Sequence, residues 1–251
     1  MKRAYLQEIF SSIQGEGPWI GERHIFVRFT GCDIHCRYCD TSAAIHSENN
    51  EPRPSFCSTQ TSADDFRFKH VHNPVSSSDL FEYCSRLVIP GPSQPTISLT
   101  GGEPLLHSDF LLEWLPLAKK TFKIYLETNG IHAAAMHDIS RMVDVVSMDF
   151  KLPSATGLRP FWEEHKHFLL AAKGKTIFIK AVVTGDTNQD DIMISARIIA
   201  QFDSSIPLVI QPTGGPLAPA SSMLVTLQEA ALRLIPNVRV IPQAHKILHL
   251  P

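Results

Sequence analysis

No apolar run in the 251 residues approaches the roughly 18 that a membrane span requires, so no transmembrane helix is expected. Charge of one sign is not in excess either. The 23 Lys and Arg against 25 Asp and Glu give a net charge of -2, which leaves no basic footprint for direct nucleic-acid binding. The opening residues, Met1-Lys-Arg-Ala-Tyr-Leu-Gln-Glu8, contain no long apolar stretch, so neither a signal peptide nor an anchor is expected. Cysteines are few and odd in number, five in all, which speaks against a disulfide framework in so long a chain. A cytoplasmic setting, which keeps thiols reduced, fits these absences. What the chain does have is an apolar fraction of 43%, enough for a substantial core.

Three of the cysteines, Cys32, Cys36 and Cys39, stand in the order C-x3-C-x2-C directly after the apolar segment 24–30. The irons of a cubane iron–sulfur cluster are ordinarily all capped by cysteine. Three thiolates therefore leave one iron with an open position, which points to catalysis rather than plain electron transfer. A structural zinc site needs four protein ligands, and here His35 or Asp40 would have to complete the set from inside one tight loop. The open-site cluster is the better reading.

From about residue 79 the pattern is regular. β-like runs at 96–100, 123–127, 143–150, 175–183, 207–211 and 238–241 alternate with helical spacing at 79–88, 107–120, 131–142, 159–172, 188–202 and 221–235. Ser78-Asp79 and Ser221-Ser222 read as N-caps. Strands alternating with helices of this length form βαβ units around a parallel sheet. With 24–30 added, about seven strands and six helices predict an α/β fold, an incomplete (β/α) barrel of about six units in one domain over 1–251. Chemistry in such barrels collects at the C-terminal strand ends. The cysteine loop, Thr100-Gly-Gly-Glu-Pro104, Glu127-Thr-Asn-Gly130, Ser147-Met-Asp-Phe-Lys151 and Gln211-Pro-Thr-Gly-Gly215 all fall there. Residues 42–78, rich in Ser, Asn, Pro and His, show little periodicity and read as a partly disordered insertion sheltering the mouth. Cys57, inside it, and Cys84, on a predicted helix, lack cluster spacing and read as structural. Gly101-Gly102 permits close backbone approach to a ligand because neither residue has a Cβ.

Taken with the C-x3-C-x2-C loop, this Gly-Gly-Glu-Pro strand end resembles the radical S-adenosylmethionine (radical SAM) superfamily. The resemblance implies a [4Fe–4S] cluster on the three cysteines, with S-adenosylmethionine chelating the fourth iron and yielding a 5′-deoxyadenosyl radical. A narrower likeness lies in Glu8-Ile-Phe-Ser-Ser-Ile-Gln-Gly-Glu-Gly17, Gly21, Phe26-Val-Arg-Phe-Thr-Gly-Cys32 and Cys39-Asp-Thr41, with the tail Gln243-Ala-His-Lys246. These residues are similar to the 7-carboxy-7-deazaguanine synthase family. That family converts 6-carboxy-5,6,7,8-tetrahydropterin to 7-carboxy-7-deazaguanine with loss of ammonia, on the way to queuosine-type bases. The likeness touches both termini and the strand ends between them but does not cover 42–78.

Carried over by position, the resemblance implies that Cys32, Cys36 and Cys39 bind the cluster and that Thr41 places its hydroxyl on a Mg²⁺, whose hard oxygen ligation suits it. Asp40 stands beside it as a second acceptor or a plain loop residue. Arg37, Tyr38, Cys39, Gly102, Glu103, Ser147, Asp149, Lys151 and Gln211 would hold S-adenosylmethionine, with Glu103 near its amine. The Ser147 to Lys151 run is longer than the family's serine–proline–lysine, which leaves open which of Ser147, Asp149 and Lys151 makes the contact. Lys180 would face the cofactor or simply be exposed. Ile13, Gln14, Gly15, Glu16, Arg28 and Thr100 would line the pterin pocket, Arg28 pairing with the substrate carboxylate. His245 and the terminal carboxylate of Pro251 would complete it, although Ala244 replaces a common threonine. The remaining histidines read as solvated. An electron donor such as flavodoxin or ferredoxin and a homodimer are also implied. Rival readings are a radical SAM activase acting on a partner protein, which leaves Gln14, Glu16 and Arg28 without a purpose, and a non-catalytic iron–sulfur or zinc module, which needs a fourth thiolate from Cys57 or Cys84.

Overall fold

Period-two alternation along parallel strands divides this chain into an outer apolar core and an inner polar mouth. The computed structural model describes residues 2–39 and 53–251. In chain order its first elements are β1 (Arg3–Ala4), β2 (Leu6–Ile13), β3 (Arg23–Phe29), β4 (Phe56–Gln60), β5 (Phe68–His72), β6 (Val75–Ser76) and α1 (Ser77–Arg86). Alternating units follow: β7 (Thr96–Gly101), α2 (Ser108–Ala118), β8 (Lys123–Thr128), α3 (Ala133–Ile139), β9 (Val145–Asp149), α4 (Pro153–Thr156) and α5 (Trp162–Ala171). The chain closes with β10 (Thr176–Val183), α6 (Gln189–Asp203), β11 (Leu208–Pro212), α7 (Ser221–Leu232), β12 (Val238–Val240) and α8 (Ala244–Ile247).

Ten strands form one sheet in the order β12-β11-β10-β9-β8-β7-β3-β2-β4-β5. The seven from β12 to β3 are parallel and stand in chain order. Sequential parallel strands joined by helical crossovers wind in one sense and curl the sheet. The sheet does not close, because β12 and β5 are both edges. The expected incomplete barrel of seven strands and six principal helices is therefore present. The helix starts are shifted: Ser76, not Ser78-Asp79, caps α1 by accepting from the Asp79 amide, and α7 follows Ala220, which makes no side-chain cap bond.

Residues 53–78 depart from the expected lid. They form the antiparallel β4–β5 hairpin, with β4 parallel to β2, and so widen the sheet. Asn73 stitches the segment to β2, accepting from the Leu6 amide at 3.1 Å and donating to the Leu6 carbonyl at 2.8 Å. Two five-residue strands among polar neighbours are too short to show a period. Residues 42–52 lie outside the described residues. Among those that are described, no helix is long and apolar enough to cross a membrane.

On the outer face, Ile97, Leu99, Ile124, Leu126, Val146, Met148, Ile179, Ala181, Leu208 and Ile210 pack against helix residues such as Trp114, Phe168 and Ile199 in one continuous core. Each such large side chain contributes roughly 1.5–3 kcal/mol by leaving water. The inner face is different. Tyr125, Val145, Phe178 and Val209 make a small apolar plug with Trp19 and Ile241. Two residues further along each of those strands stand Glu127, Ser147, Lys180 and Gln211. The plug closes the bottom of the half-barrel, and the polar row above it opens at the C-terminal ends.

Candidate active site

The polar row, the cysteine loop and both ends of the chain enclose a cavity of about 750 Å³. Cys32, Cys36, Tyr38 and Cys39 form one wall, and Gly102, Ser147, Asp149, Lys151 and Gln211 lie beside them. Ile13, Gln14, Gly15, Glu16, Arg28 and Thr100 line the opposite side, with His245 and Pro251 of the tail across the opening. Residues separated by most of the sequence thus meet at one place.

Gly102 makes the meeting of β7 and the cysteine loop possible. Its amide donates to the Phe29 carbonyl at 3.0 Å, and the next amide, of Glu103, donates to Gly31 at 2.7 Å. A Cβ on Gly102 would collide with the Gly31 carbonyl, so only glycine permits this approach. Glu103, expected near the cofactor's amine, is not among the residues that line the cavity. It is completely buried beneath, and its carboxylate accepts from the Leu105 amide, the Thr128 hydroxyl and the Asn129 amide. Burial raises its pKa against the pull of those donors. Its work is to tie the end of β7 to the end of β8. Arg37 also turns away from the cavity, donating to the Ser154 carbonyl at 3.0 Å and pairing with Asp186 at 3.4 Å. Asp40 and Thr41 lie outside the described residues.

The central charge is Glu16. Lys180 donates to it at 2.6 Å, Gln211 at 3.0 Å and Gln243 at 2.7 Å. Burial alone would push this carboxyl up, but the Lys180 ammonium and the hydrogen bonds outweigh burial and hold it below the usual carboxylate range. Lys180 responds in kind: burial pulls it down, and Glu16 and Asp149 raise it further, so it stays charged. Glu127 behaves in the opposite way. It accepts from Gln14 at 3.1 Å and from Thr100 at 3.0 Å, and burial followed by the neighbouring Glu16 charge raises its pKa. The two carboxyl pKa values are thereby pushed in opposite directions, Glu16 down and Glu127 up. Asp149 pairs with Lys151 at 2.8 Å, and the Lys151 ammonium lies 5.7 Å from the Tyr38 ring.

Among the described residues, the Tyr38 hydroxyl, Asp149 Oδ1 and Gln211 Oε1 are buried with no hydrogen bond. Orphans of this kind are rare in native folds. The donor set suits a cluster. All three cysteines are free thiols; burial pushes Cys32 up to about 12 and raises Cys36, a bias that bound metal reverses. No group of three or more His, Cys, Asp and Glu among the described residues is gathered to hold a single metal ion. In a cluster each thiolate caps a different iron. Cys57 and Cys84 lie in the outer core and cannot reach the cavity.

Sequence reasoning passed over Glu8, Glu127 and Gln243 as site residues and left Lys180 ambiguous. Period-two counting from Tyr125 and Phe178 is the signal that would have placed Glu127 and Lys180 inward. The histidines read as solvated need correction at two positions: His24 and His165 are 1% and 0% exposed.

Comparison with known proteins agrees with this geometry. Residues 26–192 match the radical SAM superfamily. Together with the open half-barrel and the three-thiol wall, the match defines the chain as a radical SAM enzyme, a class that uses a [4Fe–4S] cluster and S-adenosylmethionine. A 7-carboxy-7-deazaguanine synthase from Geobacter sulfurreducens is 38% identical over 98% of this chain and 97% of the relative. One from Methanothermobacter thermautotrophicus is 32% identical over 100% of this chain and 99% of the relative. The chain belongs to the 7-carboxy-7-deazaguanine synthase family. The crystal structure of QueE from Escherichia coli, 20% identical, shares the fold with a TM-score of 0.59 over 96% of this chain and 94% of that one.

Proposed function

We propose that the chain is a carbon–nitrogen lyase that converts 6-carboxy-5,6,7,8-tetrahydropterin to 7-carboxy-7-deazaguanine and ammonia, in 7-deazapurine (queuosine) biosynthesis. The observation that carries this reading is the polarity of the cavity: its lining holds a guanidinium, Arg28, together with an anionic Glu16, Gln14 and Glu127. A carboxylate at one end of a ligand and a guanidine-like edge at the other match that arrangement. Product and ammonia together contain every atom of the substrate, so the ring contraction needs no external oxidant.

When bound, the cluster and S-adenosylmethionine supply the radical that removes a hydrogen atom from the substrate. Cys32, Cys36 and Cys39 would cap three irons. Tyr38, Cys39, Gly102, Ser147, Asp149, Lys151 and Gln211 would hold S-adenosylmethionine, with Arg37 and Glu103 supporting the walls behind. Ile13, Gln14, Gly15, Glu16, Arg28, Thr100, His245 and Pro251 would hold the pterin, and Thr41 would ligate a Mg²⁺ at its edge. Glu16, kept ionised, accepts from the amino edge of the substrate. Glu127 accepts from Gln14 and Thr100 and so braces the same edge of the pocket. We further propose a flavodoxin or ferredoxin as electron donor, a homodimer, and a cytoplasmic setting.

Anaerobic reconstitution with iron and sulfide, then incubation with the carboxytetrahydropterin, S-adenosylmethionine, dithionite and Mg²⁺, tests this directly. A deazaguanine product is expected, in reduced yield without Mg²⁺. A preparation that cleaves S-adenosylmethionine yet forms no such product overturns the proposal.

A further inference from the structure

β2 carries an irregularity that its hydrophobic pattern does not explain. Leu6 faces the outer core and is fully buried. Residues two apart on a regular strand share a face, so Glu8 would follow Leu6 into apolar surroundings. The β2–β3 register shifts between Leu6 and Glu8, pairing Leu6 with Phe29 and Glu8 with Arg28 and leaving Gln7 as the extra residue. This bulge turns Glu8 onto the cavity wall, and from there Phe10 follows on the same face. Bulges re-aim side chains beside functional sites in this way.

Once turned inward, Glu8 Oε1 accepts from Arg28 Nε at 2.6 Å. The Phe10 ring lies 5.9 Å from the guanidinium carbon and is itself stacked on Phe26 at 5.2 Å. The guanidinium is therefore held along its Nε edge and against one face. Among the described residues its two terminal amino groups have no hydrogen-bond partner. Those are the groups that grip a carboxylate in two parallel bonds. The two side chains are 21% and 28% exposed, so the pair sits at the cavity wall rather than in the core.

We infer that Glu8 is a positioning residue: it fixes the Arg28 guanidinium with its terminal amino groups toward the cavity, ready for the substrate carboxylate. The inference rests on the substrate proposed above. Two effects of Glu8 oppose each other, since its own charge repels an incoming carboxylate. Across a wet cavity that repulsion is screened, whereas a swinging guanidinium loses both bonds of the bidentate grip, so orientation dominates.

The test uses the reconstituted holoenzyme. Glu8→Ala is expected to raise KM for the carboxytetrahydropterin about tenfold with kcat unchanged. Glu8→Gln, which keeps an acceptor for the Nε hydrogen, is expected to restore KM to within about threefold of the original. Inhibition by a tetrahydropterin lacking the 6-carboxylate should be the same in Glu8→Ala and the unaltered enzyme. An unchanged or lowered KM in Glu8→Ala, or an equal loss of affinity for the carboxylate-free compound, overturns the inference. If Glu8→Ala fails to retain iron, Glu8→Asp, with the charge kept at shorter reach, must show the same rise in KM; an unchanged value overturns it. If the unaltered enzyme cleaves S-adenosylmethionine but does not turn over the pterin, the substrate reading fails and this inference with it.

Discussion

Glu16 and Lys180 hold each other's charge on the cavity wall, with side chains 15% and 11% exposed. Removing Glu16 leaves Lys180 desolvated with only the more distant Asp149 carboxylate, at 3.7 Å, to balance it. Glu16→Gln is therefore expected to lower unfolding free energy by about 3 kcal/mol, read from chemical denaturation at pH 7, and to weaken pterin binding. The sign with pH follows from the depressed Glu16 pKa: its stabilisation is present above the ordinary carboxylate value near 4.5 and fades as pH falls through the lower folded value. His165 tests a different balance. Its ring stacks on Phe150 at 4.5 Å, and both its ring nitrogens are buried without a hydrogen-bond partner. Burial lowers its pKa from 6.5 to about 4. The unfolded chain takes up this proton first, so the stability present above pH 6.5 is lost as pH falls toward 4, on the order of 3 kcal/mol for a fully desolvated ring. His165→Phe should keep the stack and flatten the fall of Tm between pH 7 and pH 5; an unchanged slope would count against this assignment.

At the scale of elements, the site depends on two places where backbones touch. The first is the contact of the lead-in segment with the tail. The Ala244 amide donates to the Gly15 carbonyl at 2.9 Å, and a Cβ on Gly15 would run into His245. Gly15→Ala should displace α8 while leaving the sheet and the cysteine loop alone. Its expected signature is a rise in pterin KM of about tenfold or more with cluster iron and S-adenosylmethionine cleavage retained. The second is Gly102 against Gly31, where a backbone carbonyl has nowhere to move. Gly102→Ala should cost about 3 kcal/mol or more through overpacking and lose iron on reconstitution. The two variants thus separate substrate closure from cluster assembly, and iron analysis beside steady-state kinetics distinguishes them.

For the molecule as a whole, the sheet itself is the partition. Cys57 and Cys84 sit in the outer core behind it, and the three loop cysteines line the cavity in front. Cys57→Ala with Cys84→Ala is expected to leave iron and sulfide content per chain unchanged, at a stability cost of about 1 kcal/mol for each lost sulfur contact. Loss of cluster in that variant would mean that a fourth thiolate reaches the site.

How much of this was legible before folding depends on range. The seven parallel strands and six principal helices follow from local periodicity, because burial on one face repeats every two or every 3.6 residues whatever the partner. The cysteine loop and the Gly-Gly-Glu-Pro strand end are equally local, since a cluster or a close backbone approach needs its residues within a few positions of one another. The β4–β5 hairpin and the bulge in β2 left no such trace. Nor did the pairing of Glu16 with Lys180, Gln211 and Gln243, which lie 164, 195 and 227 positions away. Periodicity by itself determined the half-barrel, and the cysteine and Gly-Gly-Glu-Pro motifs indicated the kind of enzyme only through their resemblance to a known family. Only the tertiary structure decided that Glu103 is a buried tie, that Glu8 faces the cavity, and that the pKa values of two carboxyls near one lysine shift in opposite directions. Those outcomes depend on distance in space and on desolvation, and both are set when the sheet curls and the chain ends meet.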